Sequence, residues 1–167
     1  MAVVKPSPPK NIGASVRARL LNIAKLSERD YNALLIQYAQ ERFLYRLSQS
    51  TYRDQFILKG ALLLLSHNLP LSRPTKDIDF LGQSITNDLA VLKKALKSIA
   101  DIHHEDGVEF LSDSIVIEQI TEQAEYLGAR AHLKGKVGGA RFSLQLDIGF
   151  GDIIVPRAID ADFPTLL

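Results

Sequence analysis

SRPTKDIDFLG (residues 72–82) places two aspartates, Asp77 and Asp79, on either side of Ile78 and just ahead of Phe80 and Leu81. The apolar run closed by Gly82 reads as a strand over KDIDFLG. Side chains two apart on a strand share a face. Asp77 and Asp79 therefore project together while Ile78 and Phe80 enter the core. Two carboxylates at that separation repel, and a core-forming strand tolerates them only where a cation or hydrogen bonds compensate.

Upstream, QFILKG (55–60) is a short apolar segment ending at Gly60, and ALLLLSH follows with helix-forming composition. This order predicts strand, tight turn and helix. A glycine there lets backbone amides approach phosphate oxygens, and a helix N-terminus favours negative charge. Lys59 and Arg73 are the candidate phosphate cations, Lys59 as a point charge and Arg73 as a bidentate fork.

Downstream, GARAHLKGKV (128–137) and RFSLQLDIGF (141–150) alternate at period two around the hairpin signal Gly138-Gly139. The second strand turns Phe142, Leu144, Leu146, Ile148 and Phe150 inward and Arg141, Ser143, Gln145 and Asp147 outward. If it neighbours the 77–82 strand, Asp147 joins Asp77 and Asp79. Three hard oxygen donors suit Mg2+ or Mn2+, which share phosphate oxygens with a substrate. One ion would hold a triphosphate; another would acidify an attacking hydroxyl and stabilise in-line displacement. Read singly, these features are bland: a solvated Asp-x-Asp at a strand end, an exposed Asp147, a plain turn at Gly60, and surface charge at Lys59 and Arg73.

The flanking chain predicts an α/β fold, with an N-terminal helical layer and then a mixed sheet of about four to six strands flanked by helices. Residues 1–12, rich in proline, read as a disordered arm, and 13–167 as the domain. Helices are expected over 14–26, from Tyr31 to about Ser48, and from Thr86 to about Ile102. Ser27 in SERD reads as the cap of the second helix. SIVIEQI (114–120) reads as a strand. His103, His104, Glu105 and Asp106 read as a solvated loop rather than a metal site, because adjacent histidines point apart. Arg130, His132, Lys134 and Lys136 share one strand face, suited equally to RNA phosphates or to solvent.

A net charge of +1 gives no global field for nucleic acid, so any such binding must be local. The absence of cysteine excludes disulfides, thiolate zinc sites and a cysteine nucleophile, and fits a cytoplasmic location. No signal peptide is read at the start, and ALLLL (61–65) is too short to span a bilayer.

FILKGALLLL…RPTKDIDFLG and GARAHLKGKVGGARFSLQLDIGFGD resemble the signature of the AbiEii/AbiGii toxin family. These are nucleotidyltransferase-like proteins of bacterial toxin–antitoxin and phage-abortive systems. The resemblance runs from about residue 13 onward. It rests on Lys-Gly, Arg-Pro-Thr-x-Asp-Ile-Asp and Asp-Ile-Gly-x-Gly-Asp in that order. It implies a metal pair at Asp77 and Asp79 and a third carboxylate at Asp147. It further implies a triphosphate-contacting turn at Gly60 and Ala61, and basic residues at Arg73 and Lys76. The implied reaction moves a nucleoside monophosphate from a nucleoside triphosphate to an acceptor, in some relatives the tRNA 3′ end. A cognate antitoxin protein is the implied partner. Two departures stand out: Ala61 replaces the usual Gly or Ser, and the family's helical C-terminal half, with a further lysine and aspartate, is not represented. The alternatives are a non-catalytic nucleotide- or partner-binding module on the same scaffold, and transfer to a small molecule such as an aminoglycoside.

Overall fold

The computed structural model describes residues 11–67, 73–123, 126–151 and 157–167. The proline-rich start, residues 68–72, and Asp152 of the Asp-Ile-Gly-x-Gly-Asp piece lie outside them.

Helix α1 (Ile12–Ser27) starts where the Asn11 side chain accepts the Ala14 amide at 2.9 Å. Helix α2 (Tyr31–Ser48) is capped by Asp30, which accepts the Ala33 amide at 2.8 Å. The expected cap at Ser27 is therefore displaced by three residues. Ser27 still belongs to the last turn of α1, where its hydroxyl donates to Ile23 O at 2.6 Å. Glu28, in the left-handed region at φ 55°, ends that helix. The connection is too short for Ser27 to serve both helices.

A 3-10 turn (Arg53–Gln55) leads into β1 (Phe56–Lys59), and α3 (Leu63–Ser66) follows as a single turn, shorter than expected. Strand β2 (Asp77–Gly82) carries the paired aspartates. Helix α4 (Leu89–Ala100) starts later than expected, because Asp88 caps it and Asn87 is tied to Leu127 O at 2.9 Å. Its buried stripe is Leu92, Ala95, Leu96 and Ile99.

Three long strands complete the sheet: β3 (Val108–Gln123), β4 (Tyr126–Val137) and β5 (Ala140–Gly149). Strand β3 begins well before the expected Ser114. Its pairing with β4 shifts register between Leu111 and Val116. Val108 and Phe110 face the core before the shift, and Ile115 does so within it, at the opposite parity. A bulge of this kind inverts the inward parity, which is why simple alternation finds only the second half.

The five strands lie in the order β1-β2-β5-β4-β3, with β2 and β5 parallel and the other pairs antiparallel. The β4–β5 hairpin turns on Gly138 and Gly139, whose φ values of 51° and 83° suit glycine at both central positions. Val16 and Leu20 of α1, Phe43 of α2 and Leu96 of α4 share one core with Ile78, Phe80, Ala131, Leu144 and Leu146 of the sheet. All four described helices contribute residues to that apolar side or pack against it, so they flank one face. The other face carries the polar residues, many of them exposed, including Lys134, Arg141 and Ser143. Among the described residues, no helix is long and apolar enough to cross a membrane.

Candidate metal centre

The parallel pairing of β2 with β5 sets Asp77 opposite Gln145 and Asp79 opposite Asp147. One carboxylate oxygen from each of Asp77, Asp79 and Asp147 can be chosen so that all lie within 4.8 Å of one another. The expected convergence of three acidic residues from distant parts of the sequence is therefore present. Asp77 and Asp79 are half-buried, and Asp147 is 5% exposed.

Like charges directly across a strand pair destabilise it, and the register supplies the compensation. Lys59 stands opposite Asp79 on β1, and Arg130 stands opposite Asp147 on β4. Glu118 on β3 then stands opposite Arg130. A row of alternating and adjacent charges thus crosses all five strands on the open face.

One contact in that row is a fork. Arg130 Nε donates to Asp147 Oδ1 and Nη2 donates to Oδ2, both at 2.8 Å. The Gln145 amide also donates to Oδ2, at 3.2 Å. The hydrogen bonds it donates to Asp147 hold the Arg130 guanidinium above its ordinary range, with desolvation opposing and the charges of Asp147, Glu118 and Asp77 adding attraction. Arg130 was read in the sequence only as part of a basic stripe. The turn geometry could have found it: with Val137 opposite Ala140, equal steps back along each strand bring Arg130 to Asp147. The same stripe is neutralised again at Lys136, which pairs with Glu109 at 3.2 Å.

Asp77 is oriented from its own loop. Thr75 Oγ1 donates to Asp77 Oδ1 at 3.0 Å, and Thr75 O accepts from the fully buried Gln40 of α2 at 3.2 Å. Thr75 stands in the Arg-Pro-Thr-x-Asp-Ile-Asp piece with no role assigned to it there, and Gln40 has no chemical signature that marks it in sequence.

Gly60 lies against Asp79. Its φ is +72°, and a Cβ there would meet Asp79 Oδ2 at 2.3 Å. The backbone at the turn therefore approaches the aspartate pair more closely than a residue with a side chain permits. Ala61 follows, exposed. Arg73 and Lys76 are exposed on the approach to β2, and no ion pair among the described residues ties either to the triad.

The residues fit a hard divalent cation. The donor set is all oxygen and lies next to the Gly60 turn. In octahedral Mg2+ adjacent ligands lie about 3.0 Å apart and opposite ones about 4.2 Å, so three oxygens within 4.8 Å of one another would close by up to about 2 Å around the ion. The His103–Asp106 loop offers no second centre: His104 stacks on Tyr45 with centroids 4.6 Å apart, and Asp106 turns inward to Arg46.

Against known proteins, no curated protein matches the chain. Several solved chains do, two of them from Helicobacter pylori. JHP933 from Helicobacter pylori is 20% identical over 74% of this chain and 46% of its own length, with a TM-score of 0.48. A candidate nucleotidyltransferase from H. pylori shows the same identity and coverage with a TM-score of 0.42. This chain spans about half the length of each. The model of one family, described as nucleotidyl transferase AbiEii toxin of a type IV toxin–antitoxin system, matches residues 42–167. That span takes in β1 with its glycine turn, the three aspartates and the arginine fork, so the chain belongs to the AbiEii nucleotidyl transferase toxin family.

Proposed function

We propose that this chain carries the cation- and triphosphate-binding part of a nucleotidyltransferase toxin, which moves a nucleoside monophosphate from a nucleoside triphosphate to an acceptor hydroxyl. The observation that carries this reading is the meeting of Asp77, Asp79 and Asp147 within 4.8 Å on adjacent parallel strands. Asp77, Asp79 and Asp147 would hold Mg2+ or Mn2+. When bound, the cation would offset negative charge developing on the triphosphate.

The chain's own residues do the rest. Gly60 and Ala61 present backbone amides to the triphosphate, with Lys59, Arg73 and Lys76 supplying positive charge around it. Asp147 takes the acceptor's proton as the acceptor oxygen bonds to the α-phosphorus. The α-phosphorus–oxygen bond to the leaving group breaks in line, and pyrophosphate departs. Both Asp147 oxygens are engaged by Arg130, so accepting that proton requires one of them to exchange its partner. The acceptor is proposed to be a tRNA end, and a cognate antitoxin to restrain the reaction in the cytoplasm.

Incubation with labelled nucleoside triphosphates, Mg2+ or Mn2+ and total tRNA tests the proposal. Label should enter the RNA fraction with the wild-type chain and fall by at least about a thousandfold with Asp77→Ala. Triphosphate binding without transfer to RNA or to aminoglycosides would instead favour a non-catalytic binding module.

A further inference from the structure

Resting on that reading of the triad, we propose that Arg130 is a positioning residue that occupies Asp147 in place of a free divalent cation and releases it when the cation arrives with a triphosphate. Three observations carry this. First, the fork engages both Asp147 oxygens at 2.8 Å, so a cation reaching Asp147 competes with a unit positive charge already seated there. Second, the two partners differ in freedom. The Asp147 side chain is 7% exposed and the Arg130 side chain 36%, so only the guanidinium has solvent on its far side into which to move. Third, Arg130 has somewhere to go. Glu118 faces it across β3, on an exposed position. A triphosphate entering beside Gly60 would present oxygens that a guanidinium fork binds as readily as a carboxylate.

The consequence is a built-in coupling. Arg130 weakens binding of the bare ion, because a positive charge a few ångströms from a cation site opposes it. It strengthens binding of the ion–triphosphate complex, because the displaced fork gains a phosphate partner. A residue that merely supported the fold would move both affinities in the same direction or neither.

The test uses the whole chain and reads binding rather than turnover. Mn2+ alone is titrated by the loss of its free-ion EPR signal. Mn2+ with a non-hydrolysable α,β-methylene triphosphate analogue is titrated by calorimetry, for each ribonucleoside in turn. Arg130→Gln should bind Mn2+ alone more tightly, on the order of tenfold after screening. It should bind the Mn2+–analogue complex on the order of tenfold more weakly. Arg130→Lys, which keeps the charge and loses the fork, should match wild type for Mn2+ alone and weaken only the complex. Circular dichroism melts confirm that each variant is folded. Affinities that fall together in Arg130→Gln, or that do not move, would overturn the inference while leaving the triad intact. Wild-type protein that binds neither Mn2+ nor the complex, with Asp77→Asn making no difference, would overturn both this inference and the transferase reading beneath it.

Discussion

Two arginine–aspartate forks of nearly the same geometry sit in different parts of the molecule. Arg46 on α2 holds Asp106 at 2.7 and 3.1 Å; Arg130 on β4 holds Asp147 at 2.8 Å twice. Their surroundings differ. The Arg46–Asp106 side chains are 3% and 4% exposed. Arg46 also donates to the carbonyls of Ile102, Arg42 and Val108, and its guanidinium lies 5.0 Å from the Phe110 ring centroid. Asp106 Oδ1 accepts the Val108 amide, and its carbonyl accepts the Tyr38 hydroxyl at 2.8 Å. Burial, with the charge of Asp106 adding, pushes the Tyr38 phenol up to about 12, so that hydroxyl remains a donor. Every group in this first fork is wrapped, and it clamps α2 to the loop before β3. The second fork has an open side and two further carboxylates beside it. The same pair of residues makes a fully wrapped joint in one place and a half-open contact in the other, and the difference lies in exposure and in the other partners Arg46 keeps.

That contrast is open to direct attack. The largest effect belongs to the wrapped fork. Arg46→Met strands the Asp106 carboxylate in the interior and should cost about 3–5 kcal/mol in urea unfolding. Arg130→Gln should cost less, about 1–2 kcal/mol: Asp147 is buried and loses its compensating charge, but the 36% exposed Arg130 side chain leaves a water-facing side to the fork. Equal losses would end the distinction between joint and latch.

The next effect sharpens the open side. Gly60→Ala meets both a left-handed backbone at φ +72° and the Asp79 carboxylate. It should cost about 1–2 kcal/mol from the backbone alone and weaken Mn2+ binding as Asp79 is pushed aside. Ala61→Ser, one residue on at an exposed position, should change stability by no more than about 0.5 kcal/mol. A tolerated Gly60→Ala with unaltered Mn2+ binding would separate the turn from the triad.

The smallest effect concerns a buried carboxylate with a weaker set of partners. Glu41 is 4% exposed, accepts the Leu166 amide at 2.9 Å and pairs with Arg42 at 3.2 Å. Burial raises its carboxyl above the ordinary 4.5, with the Leu166 amide and Arg42 opposing. The folded state thus binds this proton more tightly than the unfolded state. Stability from this group falls as pH rises from 4.5 through the raised value, and is flat below 4.5. Glu41→Gln should therefore match wild type in melts near about pH 3.5 and exceed it by less than about 1 kcal/mol near about pH 8. A variant less stable than wild type at the higher pH would mean that the Arg42 pair outweighs desolvation.

Much of this was legible in the residue order. Period-two alternation located β2, β4 and β5, and the Gly138-Gly139 turn joined the last two. Asp-x-Asp flagged its own oddity because charge in an apolar strand is costly. What failed in the sequence reading failed where local signals compete. Ser27 and Asp30 are both good caps, and only the turn at Glu28 chooses between them. The β3 bulge inverts the strand's inward parity, so its first half hides among Glu109, Ser112 and Asp113. Asp106 reads as loop solvent until Arg46, sixty residues earlier, closes on it.

The sequence by itself determined the elements, the inward faces and the presence of three acidic residues that an apolar context makes conspicuous. Those properties depend on side-chain type and spacing along one stretch of chain. The tertiary structure decided who stands beside whom. It set Asp79 against Asp147 through a parallel pairing of strands far apart in the chain, pressed Gly60 onto Asp79, and gave Asp147 to Arg130. Cross-strand register and burial are properties of the assembled sheet, and electrostatic energy depends on distance and desolvation rather than on position in the chain.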